Sequence, residues 1–146
     1  MMIVGERPSD DAELAVLLEA AFAELVSRYG PEGRSRVHDG ARFVVATIEG
    51  RAVGCGALQP TDRVGTAELK RMYVLPEFRG RGIASAVLGS LESLATGSGY
   101  AVLRLATGER QPEAMALYEK RGYQRTEPYG KYVNDPWSRC YHKPLG

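Results

Sequence analysis

The segment from Glu68 to Ala84, ELKRMYVLPEFRGRGIA, constrains this chain most. It reads as a strand that feeds a glycine-rich turn, which in turn opens a helix. The run from Thr66 to Val74 predicts the strand, with Glu68, Lys70, Met72 and Val74 expected on one face. Ile83, Val87, Leu88, Leu91, Leu94 and Ala95 then recur at helical spacing until Gly97 and Gly99. The first amides of such a helix have no partner in its own ladder, and the helix dipole makes that end positive. A phosphate or diphosphate suits the concavity they form. Gly80 and Gly82 let the backbone approach closely, and Arg79 and Arg81 are expected to add charge. Two phosphate motifs do not fit. A Walker A loop needs Lys-Ser/Thr after its second glycine, where Ile83 and Ala84 stand. A dinucleotide fingerprint needs a third glycine and a later acidic residue, where Ser85 and then Leu105 and Ala106 stand.

The remaining residues alternate between strand and helix patterns. Met2 to Arg7 reads as an edge strand that Pro8 stops. Ser9 or Asp10 is placed to cap a helix carrying Leu14, Leu17, Leu18, Ala21, Phe22 and Leu25, which ends near Tyr29 before Gly30-Pro31. Arg42 to Ile48 and Ala52 to Leu58 form a hairpin across Glu49-Gly50. Gly54 and Gly56 leave one face of its second strand bare, which marks the close approach of another backbone or a ligand. Tyr100 to Ala106 predicts a strand, Gln111 to Arg121 a helix with Pro112 near its start, and Tyr123 to Thr126 and Trp137 to Lys143 two last strands. The order is mixed α/β. With 146 residues, no repeat and no linker, one domain over 1–146 is expected.

Charge and cysteine content exclude several function classes. Nineteen Lys and Arg against eighteen Asp and Glu leave a net charge of +1. That gives no global basic field for nucleic acid or an anionic membrane. No apolar run approaches the roughly 18 residues of a membrane span. Six acidic residues among the first thirty argue against a signal peptide. Two cysteines, Cys55 and Cys140, give no disulfide framework and fit a reducing, cytoplasmic setting. Cys55 alternates with core residues and reads as a buried thiol. Cys140 and His142 alone make no zinc site, so no metal is expected.

The pattern Arg79-x-x-Gly82-x-Ala84 after Val74 and Pro76 resembles the acyl-CoA motif of the GNAT N-acetyltransferase superfamily. Leu103-Arg-Leu-Ala-Thr-Gly108 and Gln111-Pro-Glu-Ala-Met-Ala-Leu-Tyr-Glu-Lys-Arg-Gly-Tyr123 resemble its later strand, helix and turn. The resemblance implies a mostly antiparallel central sheet of six to seven strands flanked by about four helices. It implies acetyl-CoA as cosubstrate. The pantetheine arm would lie along Met72, Tyr73 and Val74, and the diphosphate on Arg79, Gly80, Arg81, Gly82, Ile83 and Ala84, with Ser85 adjacent. It implies a catalytic tyrosine at Tyr118, placed to protonate the leaving thiolate. Glu68 matches the position from which some members supply a carboxylate base. The amine would attack directly, in a ternary complex.

The acceptor is less specified. The resemblance places its cleft between Tyr29–His38 and Glu127–Trp137. Arg34, Arg36, His38, Lys131, Tyr129, Tyr132 and Trp137 there suit a small amine that also bears an anionic group. A primary amine of an amino acid or related metabolite is favoured over an aminoglycoside-like drug or a protein amine. A binding module that keeps acyl-CoA without turnover is the alternative class. The tail from Pro128 resembles a subgroup of small bacterial enzymes that commonly has an acidic residue where Ala106 stands, so the resemblance does not name the acceptor. Gly54, Gly56 and Ala57 leave room for a longer acyl group. Homodimers are common in the family, with Trp137 and the late strands as candidates for an interface.

Overall fold

The computed structural model describes residues 1–30, 37 and 39–146. Its elements run β1 (Met2–Arg7), α1 (Ala12–Tyr29), β2 (Arg42–Ile48), β3 (Arg51–Pro60), β4 (Thr66–Val74), α2 (Ile83–Gly97), β5 (Val102–Gly108), α3 (Pro112–Lys120), β6 (Gln124–Thr126) and β7 (Ser138–Pro144). The seven strands form one sheet in the order β1-β2-β3-β4-β5-β7-β6. Only β4 and β5 are parallel neighbours. The described residues hold three α-helices where the resemblance implied about four; Pro76–Phe78 and Gly130–Tyr132 add single 3-10 turns.

The apolar stripes identified in the sequence decide which face each helix covers. Leu14 and Leu17 of α1 pack on Phe43, Val45, Cys55 and Ala57. Val87, Leu88 and Leu91 of α2, with Tyr118 of α3, pack on Val44, Ala46, Leu58 and Leu69 on the opposite face. The α1 cap is Asp11 rather than Ser9 or Asp10: its carboxylate accepts from the Leu14 N–H at 2.9 Å and also holds Arg7 at 3.0 Å. The strand expected from Tyr100 instead begins at Val102. The amides of Ala101 and Val102 are both spent on the Gly65 carbonyl, which makes that entry a turn.

The bare face of β3 is covered by α2. A Cβ on Gly56 would lie 2.7 Å from both Leu91 Cδ1 and Met72 Sδ, and one on Gly54 would lie 3.0 Å from Ile83 Cγ2. Ala57 is fully buried beneath α1. The room expected here for a longer acyl group is therefore filled by the protein itself.

A bulge in β4 overturns the expected strand face. Ala57 pairs with Lys70 and Cys55 with Tyr73, so Gly56 faces both Arg71 and Met72. Arg71 absorbs the extra residue at φ 58. Glu68, Lys70 and Tyr73 consequently share the α1 face, while Leu69, Met72 and Val74 share the α2 face. Glu68 and Met72 thus lie on opposite faces.

The parallel pairing of β4 with β5 stops early. It joins Thr66 to Val102, Ala67 to Leu103 and Glu68 to Arg104, and no further. Past that point β4 continues beside β3, and β5 continues beside β7. Their inner edges, from Leu69 and Leu105 onward, diverge.

Candidate active site

The divergence opens a cleft of about 1290 Å³ between the two strands. Met72, Tyr73 and Val74 line it, as do Arg79, Gly80, Gly82, Ile83, Ala84, Ser85 and Tyr118. The backbone edge of β4 there has its ladder partner only on the β3 side. An extended ligand could add to that edge as a strand would. Of the residues expected to hold the cofactor, only Arg81 is off the cleft wall. It is exposed, with its guanidinium 5.0 Å from the Phe78 ring centre.

The turn has the form an oxyanion needs. Gly82 sits at φ 78 and precedes α2. The first bond of that helix runs from the Ala86 N–H to the Gly82 carbonyl at 3.1 Å. The amides of Ile83, Ala84 and Ser85 therefore lie ahead of the ladder. A Cβ on Gly80 or on Gly82 would meet nothing within 4 Å, so the space above the turn is open. These features fit a diphosphate. Arg121, which was not singled out in the sequence, reaches the same edge: it donates to Ser85 Oγ at 3.3 Å, while its charge is paired with Glu92 at 2.8 Å.

Arg79 does not serve as a free cation for that turn. Its Nη2 bridges both carboxylate oxygens of Glu24, at 2.8 and 3.0 Å, and its Nε donates to the Val74 carbonyl at 2.9 Å. Its charge is matched, and it ties the end of β4 to α1.

Tyr118 lies in the last turn of α3 and is 6% exposed. Its ring meets Tyr123 edge-on at 5.8 Å. Burial pushes its phenol well above the ordinary range, so it stays protonated at neutral pH. Cys55 is fully buried, and burial pushes its thiol up to about 12; such a thiol is not a nucleophile. Among the described residues no group of three or more His, Cys, Asp or Glu side chains is placed to hold a metal ion.

Glu68 is buried and stands one layer behind the wall. Its carboxylate accepts from Tyr129 Oη at 3.1 Å and Gln59 Nε2 at 3.4 Å, and it pairs with Lys70 Nζ at 3.3 Å. Lys70 and Tyr132 do line the cleft, with Lys70 donating to Tyr132 Oη at 2.9 Å. Arg28 and Lys131 join them on the wall. Two nearby acids are already committed: Glu24 to Arg79, and Asp135 to the Ser138 hydroxyl and the Trp137 N–H, each at 2.9 Å. Arg34, Arg36 and His38 lie outside the described residues.

Comparison with known proteins finds relatives of the sequence and of the whole fold. Residues 12–123 match the model of the family described as Acetyltransferase (GNAT) family. The chain is 41% identical over 104 residues to an IAA acetyltransferase of Azospirillum brasilense, covering 71% of this chain and 68% of that one. It is 38% identical over 93 residues to N-acetylaspartate synthetase of Danio rerio, covering 62% of this chain and 33% of that one. A solved structure of a proposed acyl-CoA N-acyltransferase from Klebsiella pneumoniae superposes with a TM-score of 0.85 at 31% identity, covering 100% of this chain and 99% of that one. A GNAT-family acetyltransferase from Elizabethkingia anophelis with acetyl-CoA bound has the same fold, with a TM-score of 0.75 at 21% identity over 99% of this chain and 98% of that one.

Proposed function

The chain belongs to the GNAT acetyltransferase family, and from that premise we propose that it acetylates a primary amine of a small molecule, an amino acid or a related metabolite. It is an acetyl-CoA-dependent N-acetyltransferase. The observation that carries the reading is the cleft between β4 and β5, with an open helix-start turn on one side and a cationic, tyrosine-rich wall on the other. The relative named N-acetylaspartate synthetase supports an amino-acid acceptor. Arg28 and Lys131 suit a carboxylate on the acceptor.

The cosubstrate supplies an activated acetyl thioester. On this reading the edge Met72–Val74 aligns its arm, and the amides of Ile83, Ala84 and Ser85 hold its diphosphate. This chain must then manage two protons. An alkyl ammonium has to lose one before its nitrogen can attack, and a thiolate has to gain one on leaving. Tyr118, buried and protonated, serves the second. Glu68 serves the first at one remove. Lys70 passes a proton to the Glu68 carboxylate and takes one from the acceptor ammonium, so the net movement is from acceptor to Glu68. The cations on the wall also disfavour the charged form of the acceptor.

Calorimetric titration with acetyl-CoA and CoA, followed by thiol release with a panel of amines, tests the reading. Micromolar acetyl-CoA binding with turnover on amino acids is expected. Binding without turnover on any amine would leave only a regulatory module, and no binding by a folded protein would remove the site.

A further inference from the structure

We propose that Tyr29, seated on the bare backbone of Gly108, is a specificity-determining bar that admits only small acceptors. The inference rests on the cleft being an acetyl-transfer site. Tyr29 is the last residue of α1, and Gly108 is the last residue of β5. Both line the cleft. A Cβ on Gly108 would collide with the Tyr29 phenol oxygen and would lie 2.5 Å from its Cζ. The ring thus rests on backbone that only glycine leaves accessible, at the β5 wall of the cleft.

Three further contacts fix the ring. The Arg110 N–H donates to Tyr29 Oη at 3.0 Å. Arg110 Nη1 donates to the Arg28 carbonyl at 2.8 Å. The Arg110 guanidinium lies 5.7 Å from the Tyr29 ring centre and 5.0 Å from that of Trp137, within cation–π range. The backbone N–H of Trp137 in turn donates to Asp135 Oδ1 at 2.9 Å.

The bar stands on the α1 face, where Lys70 and Tyr132 also meet the cleft, and across β4 from α2. An acceptor that extends well beyond its amine, such as a polypeptide, has to pass through the volume of this ring. A single amino acid does not. A stiff aromatic with two side-chain torsions is suited to such exclusion, because moving it breaks the Arg110 contacts together.

The test compares wild type with Tyr29→Ala, which deletes the bar, and Gly108→Ala, which displaces it with Tyr29 intact. Amines graded from glycine to a tripeptide are assayed for kcat/KM, with folding checked by circular dichroism. The tripeptide-to-glycine ratio should rise about tenfold or more in either variant, the scale on which pocket shape discriminates. An unchanged ratio in both folded variants, or a wild type that acetylates both amines equally, overturns the proposal. Trp137 is the only tryptophan, so its fluorescence reports the bar without turnover. Its quenching by acrylamide should increase in both variants; unchanged quenching overturns the bar. A wild type that turns over no amine, with quenching shifted as expected, would instead refute the acetyl-transfer reading.

Discussion

Replacing Gly82 separates the cost of folding the turn from its use. At φ 78 any L residue is strained, by roughly 1–2 kcal/mol in the left-handed region. A Cβ there meets nothing within 4 Å, so no packing penalty adds to this. Gly82→Ala and Gly82→Leu should therefore lose nearly the same stability. With an unfolding entropy of about 2.1 cal/mol/K per residue over 146 residues, each kcal/mol lowers Tm by about 3 °C, so both variants should melt about 3–7 °C below wild type. They differ only in the bulk carried into the open space at the turn. A leucine there blocks the diphosphate. Loss of even one charge-assisted hydrogen bond, about 1.5–3 kcal/mol, weakens binding by roughly 10- to 150-fold. Calorimetry with acetyl-CoA should show Gly82→Leu at least about tenfold weaker than Gly82→Ala. Equal affinity of the two would refute the reasoning, because bulk above the turn would then obstruct nothing.

Other outcomes follow from the same geometry. Tyr118→Phe should lower kcat by roughly 100-fold or more, the range of general-acid loss, with acetyl-CoA affinity nearly intact; normal turnover with weakened binding would remove the acid role. Glu68→Gln should slow the reaction, and raising the pH should restore part of the rate as more acceptor amine becomes neutral; a pH profile identical to wild type would remove Glu68 as proton acceptor. Burial raises the phenols of Tyr118, Tyr123 and Tyr129 above the usual value of about 10. A raised folded value stabilises the fold fully below the unfolded pKa, and that contribution is lost as pH climbs above it. Tyrosinate absorbance should show these three appearing only with alkaline unfolding by circular dichroism; reversible titration of all eight tyrosines near pH 10 in a folded protein would contradict the burial.

Periodicity, caps and turn residues made most elements legible. The stripes of α1 and α2, the Glu49-Gly50 hairpin and the glycine turn were each specified by neighbours a few residues apart, where pattern rules act. Composition alone gave none of the site; the order of the motif and its following helix did. What stayed hidden was set by residues far apart in the chain. The Arg79–Glu24 pair spans 55 positions and the Arg110–Tyr29 contact 81. Gly108 looked like the end of a strand, and only the seating of Tyr29 explains why it has no side chain. Glu68 and Lys70 stand on one strand face in the sequence pattern as well, but the contact of Lys70 with Tyr132 spans 62 positions and stayed hidden.

The bulge at Arg71 is the hidden feature with the widest consequence. No glycine or asparagine marks it in the sequence, yet it takes the left-handed conformation there. Its cause lies on the neighbouring strand. Gly56 offers no side chain, so Met72 can fold into the space beside Leu91 and Val87. The extra residue reverses which side of β4 each later side chain meets, sending Met72 and Val74 to α2 and Tyr73 to α1. A bulge also strengthens local twist, and this one begins three residues after Glu68, the last residue of β4 paired with β5. The strand turns away from β5 as its inner edge becomes free. A regular β4 would keep Met72 with Glu68 on one face and would carry the parallel ladder further, closing the space the cleft occupies. The small residue opposite the bulge and the open edge beside it are therefore one device. It separates a helix-start side suited to a diphosphate from a cationic side suited to an amine, with the strand between them presenting backbone to both.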